Sequence, residues 1–181
     1  LNNLMTTRTT SHIPISAVSQ HLTTEAILRA ITLSYNTVKS AGVEKPRLGI
    51  AALNPHAGEG GRCGREELDV IEPAIRKANE MGMGAEGPYP ADILFIKAFQ
   101  GDFDSVVTMY HDQGQIALKL RGFDQGVTVA GGQPFPIATC AHGTAYDIAG
   151  KGIASTSSFK NAVIITVRMA LVKRREKATY L

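Results

Sequence analysis

The stretch Arg47-Leu48-Gly49-Ile50-Ala51-Ala52-Leu53-Asn54-Pro55-His56-Ala57-Gly58-Glu59-Gly60-Gly61 decides the fold class. Residues 47–53 form an apolar run bounded by Pro46 and by Asn54-Pro55, which reads as a short buried strand. His56 falls just past the C-terminal end of that strand, and residues 57–64 make a glycine-rich loop. Residues 65–81 then read as a helix, with Leu68, Ile71, Ile75 and Ala78 on one face. Pro73 lies inside it and predicts a kink or a break.

The same alternation continues on both sides. Residues 22–41 place Leu22, Ala26, Ile27, Ala30, Leu33 and Val38 at roughly helical spacing, with Thr23 or Thr24 as N-cap and Gly42 as C-cap. Residues 87–90, Gly-Pro-Tyr-Pro, read as a turn, and residues 93–98 as a short helix or strand. Residues 105–110 read as a second buried strand, again followed by a histidine, His111. A further element starts at residues 116–120, residues 127–130 are a strand running into Gly131-Gly132, His142 opens a loop-to-helix segment, and residues 161–172 form a last apolar helix. Strands alternating with helices predict an α/β fold with a mostly parallel sheet. In such sheets ligands bind beyond the carboxyl ends of the strands, where His56 and His111 are expected.

Bulk composition narrows the function. A chain of 181 residues with 44% hydrophobic content suits one compact domain or one and a half. The net charge of +3 comes with no basic run interleaved with aromatics, so nothing points to nucleic acid. The cluster Lys173-Arg174-Arg175-Glu176-Lys177 reads as a solvated helix end whose cations suit the helix dipole. No apolar run reaches membrane-spanning length and no signal-peptide pattern is present. Cys63 and Cys140 have neither metal-ligand nor disulfide-framework spacing, which fits a reducing cytoplasm. The opening Leu1-Asn2-Asn3-Leu4-Met5 does not read like a natural start, so a fragment is expected.

Candidate chemistry centres on three histidines in unusual surroundings: His12 in Thr-Ser-His-Ile-Pro-Ile, His56, and His111 in Met-Tyr-His-Asp-Gln-Gly. Imidazole is the commonest metal-ligating side chain, and three of them leave a position open for substrate. Asp92 and Asp112 could orient such ligands, although Asp112 also suits turn chemistry before Gly114. Lys119 sits in the apolar run Ile116-Ala117-Leu118-Lys119-Leu120, where it either snorkels to the surface or enters the site as an acid/base or anion contact. His142 could bind substrate or cap the next helix together with Thr144, whereas His21 reads as structural or exposed. Gly58-Glu59-Gly60-Gly61 could cradle a phosphate or form a tight turn, and matches neither a Walker A loop nor the dinucleotide fingerprint.

Five segments together resemble the 4-hydroxythreonine-4-phosphate dehydrogenase family of vitamin B6 biosynthesis. They are Thr10-Ser11-His12-Ile13-Pro14, Leu53-Asn54-Pro55-His56-Ala57-Gly58-Glu59-Gly60-Gly61, Gly87-Pro88-Tyr89-Pro90-Ala91-Asp92, Met109-Tyr110-His111-Asp112-Gln113-Gly114 and His142-Gly143-Thr144-Ala145. Their order and spacing agree from about residue 5 to residue 170. The resemblance implies an isocitrate/isopropylmalate-dehydrogenase-like fold of α/β/α layers. It implies a homodimer with the active site at the subunit interface. It also implies a divalent metal, zinc first and magnesium, cobalt or manganese as alternatives, held by His12, His56 and His111 from both subunits. The reaction implied is oxidation of a secondary alcohol of a small hydroxy acid by NAD or NADP, with possible decarboxylation of the 3-oxo product. Lys119 matches a substrate-contacting lysine, and Asp92 and Asp112 match acidic positions near that site.

Two departures stand out. Where the family's pyridoxal-pathway enzymes hold the substrate phosphate with an asparagine and an arginine, this chain has Thr128 and Ile137. Isoleucine cannot replace a bidentate guanidinium fork. The segment Gln133-Pro134-Phe135-Pro136-Ile137-Ala138-Thr139 therefore suits a related dehydrogenase, such as one acting on aromatic cis-dihydrodiol carboxylates of the terephthalate type or on sugar-acid phosphates. Family chains are also nearly twice as long, so residues 1–181 are expected to be the C-terminal portion of a two-domain enzyme. The rival reading is a non-catalytic truncated fragment with an incomplete site.

Overall fold

The structure, a computed structural model, describes residues 4–179; Leu1, Asn2 and Asn3 of the opening segment lie outside the described residues. Its centre is a four-stranded, all-parallel sheet of β1 (Met5–Arg8), β2 (Leu48–Ala51), β3 (Ala85–Tyr89) and β4 (Ser105–Thr108), in the order β1-β4-β2-β3. The pairing is level across the three strands β1, β4 and β2. Met5, Ser105 and Leu48 form one row, Thr6, Val106 and Gly49 the next, and Thr7, Val107 and Ile50 the third.

Helices cover both faces, as the fully buried strands β2 and β4 require. On one face α2 (Thr24–Ser40) and α3 (Glu72–Glu80), with Ile71 just ahead of α3, pack Ile27, Ile31, Ile71, Ile75 and Ala78 against Leu48, Ile50 and Val107. A four-residue helix, α1 (Val18–His21), leads into them. On the other face α4 (Ala91–Gln100) and α5 (His111–Gly122) pack Leu94, Phe95 and Ala98, with Ala117 and Leu118, against Ala51, Phe103 and Val106. Gly49 permits this close approach, because a Cβ there would fall 2.7 Å from a Leu94 methyl.

A smaller antiparallel pair, β5 (Val127–Val129) and β6 (Ala138–Cys140), lies against the long helix α6 (Ser157–Thr179). The expected mostly parallel α/β sheet is therefore present, with an added antiparallel hairpin. Lys173 of α6 donates to the Pro134 carbonyl within that hairpin, so at least this member of the basic cluster is tied down.

Several sequence expectations change in detail. Residues 87–90 do not form a free turn. Gly87 and Pro88, joined by a cis peptide, lie within β3, an edge strand, where a missing backbone donor is tolerated. The helix expected over 65–81 opens with a π-helical turn, Glu67–Ile71, just before Pro73 enters α3 as its second residue. That wide turn rotates the buried face, so Glu67 is buried and Leu68 is 37% exposed. In α2, Thr23 Oγ1 accepts from the Ala26 amide and Gly42 takes a left-handed conformation past the last turn, as expected. Leu33, expected on its core face, is exposed, while Ile31 and Ser34 are buried.

Arg47 and Asp104 clamp the entry ends of β2 and β4. The Asp104 carboxylate accepts from Arg47 N (2.9 Å), Nε (3.2 Å) and Nη2 (3.0 Å). Partial burial alone would raise the Asp104 carboxyl, but the Arg47 hydrogen bonds and charge outweigh it and hold the group below its ordinary value. A depressed carboxyl contributes stability that is complete above the unfolded value and is lost as pH falls through the folded one. Asp104→Asn is expected to cost about 1 kcal/mol at neutral pH, allowing for solvent screening of this partly exposed pair. The difference from wild type should vanish in acid, as measured by urea unfolding across pH.

Candidate active site

Because the three strands are level and parallel, their carboxyl ends open on one edge of the sheet. The chain segments leaving β1, β4 and β2 carry His12, His111 and His56. Adjacent ends are stitched together. Thr10, leaving β1, donates through Oγ1 to the Met109 carbonyl at 2.8 Å, and its own amide reaches the same oxygen at 3.1 Å. Gln113, in the first turn of α5, accepts from the Met109 amide at 2.8 Å and donates to the Ala52 carbonyl at 2.7 Å, bridging the ends of β4 and β2. The Ala52 amide in turn donates to the Tyr89 carbonyl of β3 at 2.8 Å.

This stitching brings the imidazoles of His12 and His111 to 5.6 Å between ring centroids. His111 is the first residue of α5, and its Nδ1 lies 2.7 Å from Asp112 Oδ1. A carboxylate holding Nδ1–H leaves Nε2 as the free lone pair, the usual arrangement around a ligating histidine. The pair could supply two nitrogen ligands to one ion. Among the described residues, however, no group of three or more His, Cys, Asp or Glu side chains converges to hold a metal. Asp92 sits exposed in the first turn of α4, just past β3.

His56 is exposed and carried on a loop of rare conformation. His56 (φ 53°), Ala57 (φ 53°), Gly58 (φ 77°), Glu59 (φ 46°) and Gly60 (φ 67°) are all left-handed. Left-handed backbone costs a non-glycine residue about 1–2 kcal/mol. Three consecutive-turn residues of this kind, His56, Ala57 and Glu59, persist only where their surroundings over-determine them. The surroundings here are Glu67, only 1% exposed. Its Oε1 accepts from the amides of Leu53 (2.9 Å) and Asn54 (2.8 Å), and its Oε2 accepts from Asn54 Nδ2 (2.9 Å). Gly58 lies directly against this carboxylate, since a Cβ there would fall 2.6 Å from Oε2. The glycine loop is thus a tight turn closed over a carboxylate, an arrangement that disfavours a phosphate at Gly58. Sequence reasoning missed Glu67 and Gln113. For Gln113 the available signal was its place in the His111 motif; Glu67 lies past the quoted His56 motif and offered none.

The remaining expected residues lie on other elements. Lys119 is exposed in the last turn of α5. Thr128 is exposed on β5 opposite Thr139, and Ile137 precedes β6, its carbonyl accepting from the Ala130 amide at 3.0 Å. His142 is exposed just beyond β6, its Nδ1 2.8 Å from the Gly143 carbonyl oxygen. The following element is only a short 3-10 turn, Tyr146–Ile148, with no side-chain cap, so the capping role considered for His142 and Thr144 is not realised. His21 is exposed, with Nδ1 2.8 Å from the Ala17 carbonyl oxygen. Cys63 and Cys140 are both free thiols.

Comparison with known proteins places the chain in a family. The family described as pyridoxal phosphate biosynthetic protein PdxA matches residues 1–166. The chain belongs to the PdxA family. A Rhizobium meliloti protein provisionally named 4-hydroxythreonine-4-phosphate dehydrogenase 2 is 53% identical over 174 residues, covering 96% of this chain and 50% of that protein. The crystal structure of 4-hydroxythreonine-4-phosphate dehydrogenase from Klebsiella pneumoniae superposes with a TM-score of 0.83 at 34% identity, covering 94% of this chain and 52% of that one. A terephthalate 1,2-cis-dihydrodiol dehydrogenase from Burkholderia xenovorans superposes at 0.74 with 33% identity, covering 91% and 52%. This PdxA-family chain spans about half the length of the curated relatives it matches.

Replacing Gln113 by Leu would leave the Met109 amide and the Ala52 carbonyl without their partner. The expected cost is about 2 kcal/mol or more, because buried polar groups lose their hydrogen bonds. Thermal or urea unfolding of the variant measures it.

Proposed function

We propose that this chain supplies the metal- and substrate-binding portion of an NAD(P)-dependent dehydrogenase that oxidises a secondary alcohol of a small hydroxy acid. In this reading it is the C-terminal portion of a two-domain enzyme with isocitrate/isopropylmalate-dehydrogenase-like α/β/α layers. The observation that carries the reading is the pairing of His12 with His111 past the ends of β1 and β4, beside β2, whose carboxyl end leads into the His56 loop, in a chain of the PdxA family.

His12, His56 and His111 are the proposed ligands of a divalent ion, zinc first. The donor set fits: two imidazoles already lie 5.6 Å apart, and Asp112 leaves the far nitrogen of His111 available. When bound, the ion would withdraw electron density from a substrate oxygen and the nicotinamide would accept the hydride. Asp112 orients His111, Asp92 and Asp112 are the proposed proton-handling carboxylates, and Lys119 is the proposed contact to substrate anionic oxygen. Thr128, Ile137 and His142 complete the substrate side. Loss of carbon dioxide from the 3-oxo product is part of the same proposal.

A homodimer with ligands contributed from both subunits accommodates the lack of a three-ligand cluster among the described residues of one chain. Support for a covered face comes from α6, where Phe159, Val163, Ile164, Val167 and Leu171 are all at least 47% exposed. Exposed apolar patches of this kind usually mark interfaces. A soluble metabolic enzyme of the cytoplasm fits the two free cysteines, and no described helix is long and apolar enough to cross a membrane.

Ile137 supports the second reading, a substrate carboxylate of the terephthalate cis-dihydrodiol type in place of a phosphate. Two outcomes test these readings in the full-length protein. His56→Ala should lose bound metal and turnover together; unchanged metal content and rate would sink the histidine reading. Ile137→Arg should raise kcat/KM for 4-hydroxythreonine 4-phosphate by about 10-fold or more, the worth of one charge-assisted contact. Wild type that already prefers this substrate strongly over a dihydroxycyclohexadiene carboxylate would refute the weakened phosphate grip.

A further inference from the structure

We propose that Glu67 is a positioning residue that sets His56 in its metal-ligating pose; the proposal rests on the reading of His56 as a ligand. A buried carboxylate with no counter-cation among its contacts is uncommon, and such groups persist only where hydrogen bonds replace water. Among the described residues, the side-chain hydrogen bonds of Glu67 all go to the segment that launches His56. Oε1 takes the Leu53 and Asn54 amides, and Oε2 takes Asn54 Nδ2. Asn54 Nδ2 also donates to Glu66 Oε2 at 2.7 Å, which locks the Asn54 side chain from its other side.

The glycines of the loop answer to this lock. A Cβ on Gly64 would fall 2.3 Å from Asn54 Nδ2, and one on Gly58 would fall 2.6 Å from Glu67 Oε2. The Cys63 amide closes the turn on the Gly58 carbonyl at 3.0 Å. The direction in which His56 leaves the sheet is thus fixed by one carboxylate placed on the π-helical turn at the start of the following helix. Glu67 touches neither the imidazole nor any proposed substrate contact. It acts through the backbone at residues 53–58.

Glutamine at this position keeps one acceptor oxygen for the two amides but turns an NH2 toward the NH2 of Asn54, donor against donor. The test is a cobalt(II) titration of full-length, metal-stripped protein, followed by the visible absorption of the bound ion, with thermal unfolding measured in parallel. Glu67→Gln should weaken cobalt binding by about 10- to 100-fold, as removal of outer-sphere support typically does. Ile31→Val, a core change on α2 that also lowers the melting temperature, should leave cobalt affinity within about 2-fold, because distant sites act independently. If Glu67→Gln does not fold, Asn54→Ala, which keeps both Oε1 bonds, carries the same test with a smaller loss. Loss of affinity in His56→Ala but not in either of these variants overturns the positioning role alone. No loss in His56→Ala overturns the ligand reading and this proposal with it. An equal loss in Ile31→Val reduces Glu67 to a merely structural residue and also overturns the proposal.

Discussion

The level register of β1, β4 and β2 is the constraint on which the site depends. Parallel strands place every following loop on the same edge, and a one-residue slip of any strand would turn its buried side chains to the opposite face. Val106 and Val107 show how little freedom remains. Neighbours in β4, they belong to core clusters on opposite faces of the sheet. With the rows fixed, Thr10 and Gln113 carry the alignment past the last paired residues, and the histidines inherit it.

The two proposed ligands that follow β1 and β4 are supported differently from the third. His12 and His111 lie on segments whose backbone is tied directly to the neighbouring strand, and their rings meet in a single chain. His56 stands on left-handed backbone and depends on a buried carboxylate beneath it. Local conformational cost at one ligand, offset by a satisfied polar network below it, is a common way for a fold to fix a reactive group.

Much of this was legible in the sequence. β2, β4, α2 and the helix around Pro73 followed from apolar runs and helical spacing, and the motifs of His56 and His111 do lie just past the carboxyl ends of β2 and β4. What escaped has physical reasons. β1 is Met-Thr-Thr-Arg, half-buried at the outside of the sheet, and shows no apolar run. β3 was hidden by Gly87-Pro88, which an outer strand can accept. α5 starts at His111, but its first turn holds Gly114, which lies against Thr108 where a larger residue would crowd the strand, so the helical pattern surfaced only at Ile116. Glu67 reads as an ordinary charged surface residue, and only tertiary structure reveals what it holds.

The central claim is that His12, His56 and His111 bind one divalent ion. Anomalous diffraction at the zinc edge from crystals of the full-length protein tests it most directly. The account predicts a single strong peak about 2.0–2.1 Å from a ring nitrogen of each histidine, with one or more supplied by the partner subunit. A bound ion coordinated elsewhere, or one that leaves His56 out of its ligand sphere, would contradict it.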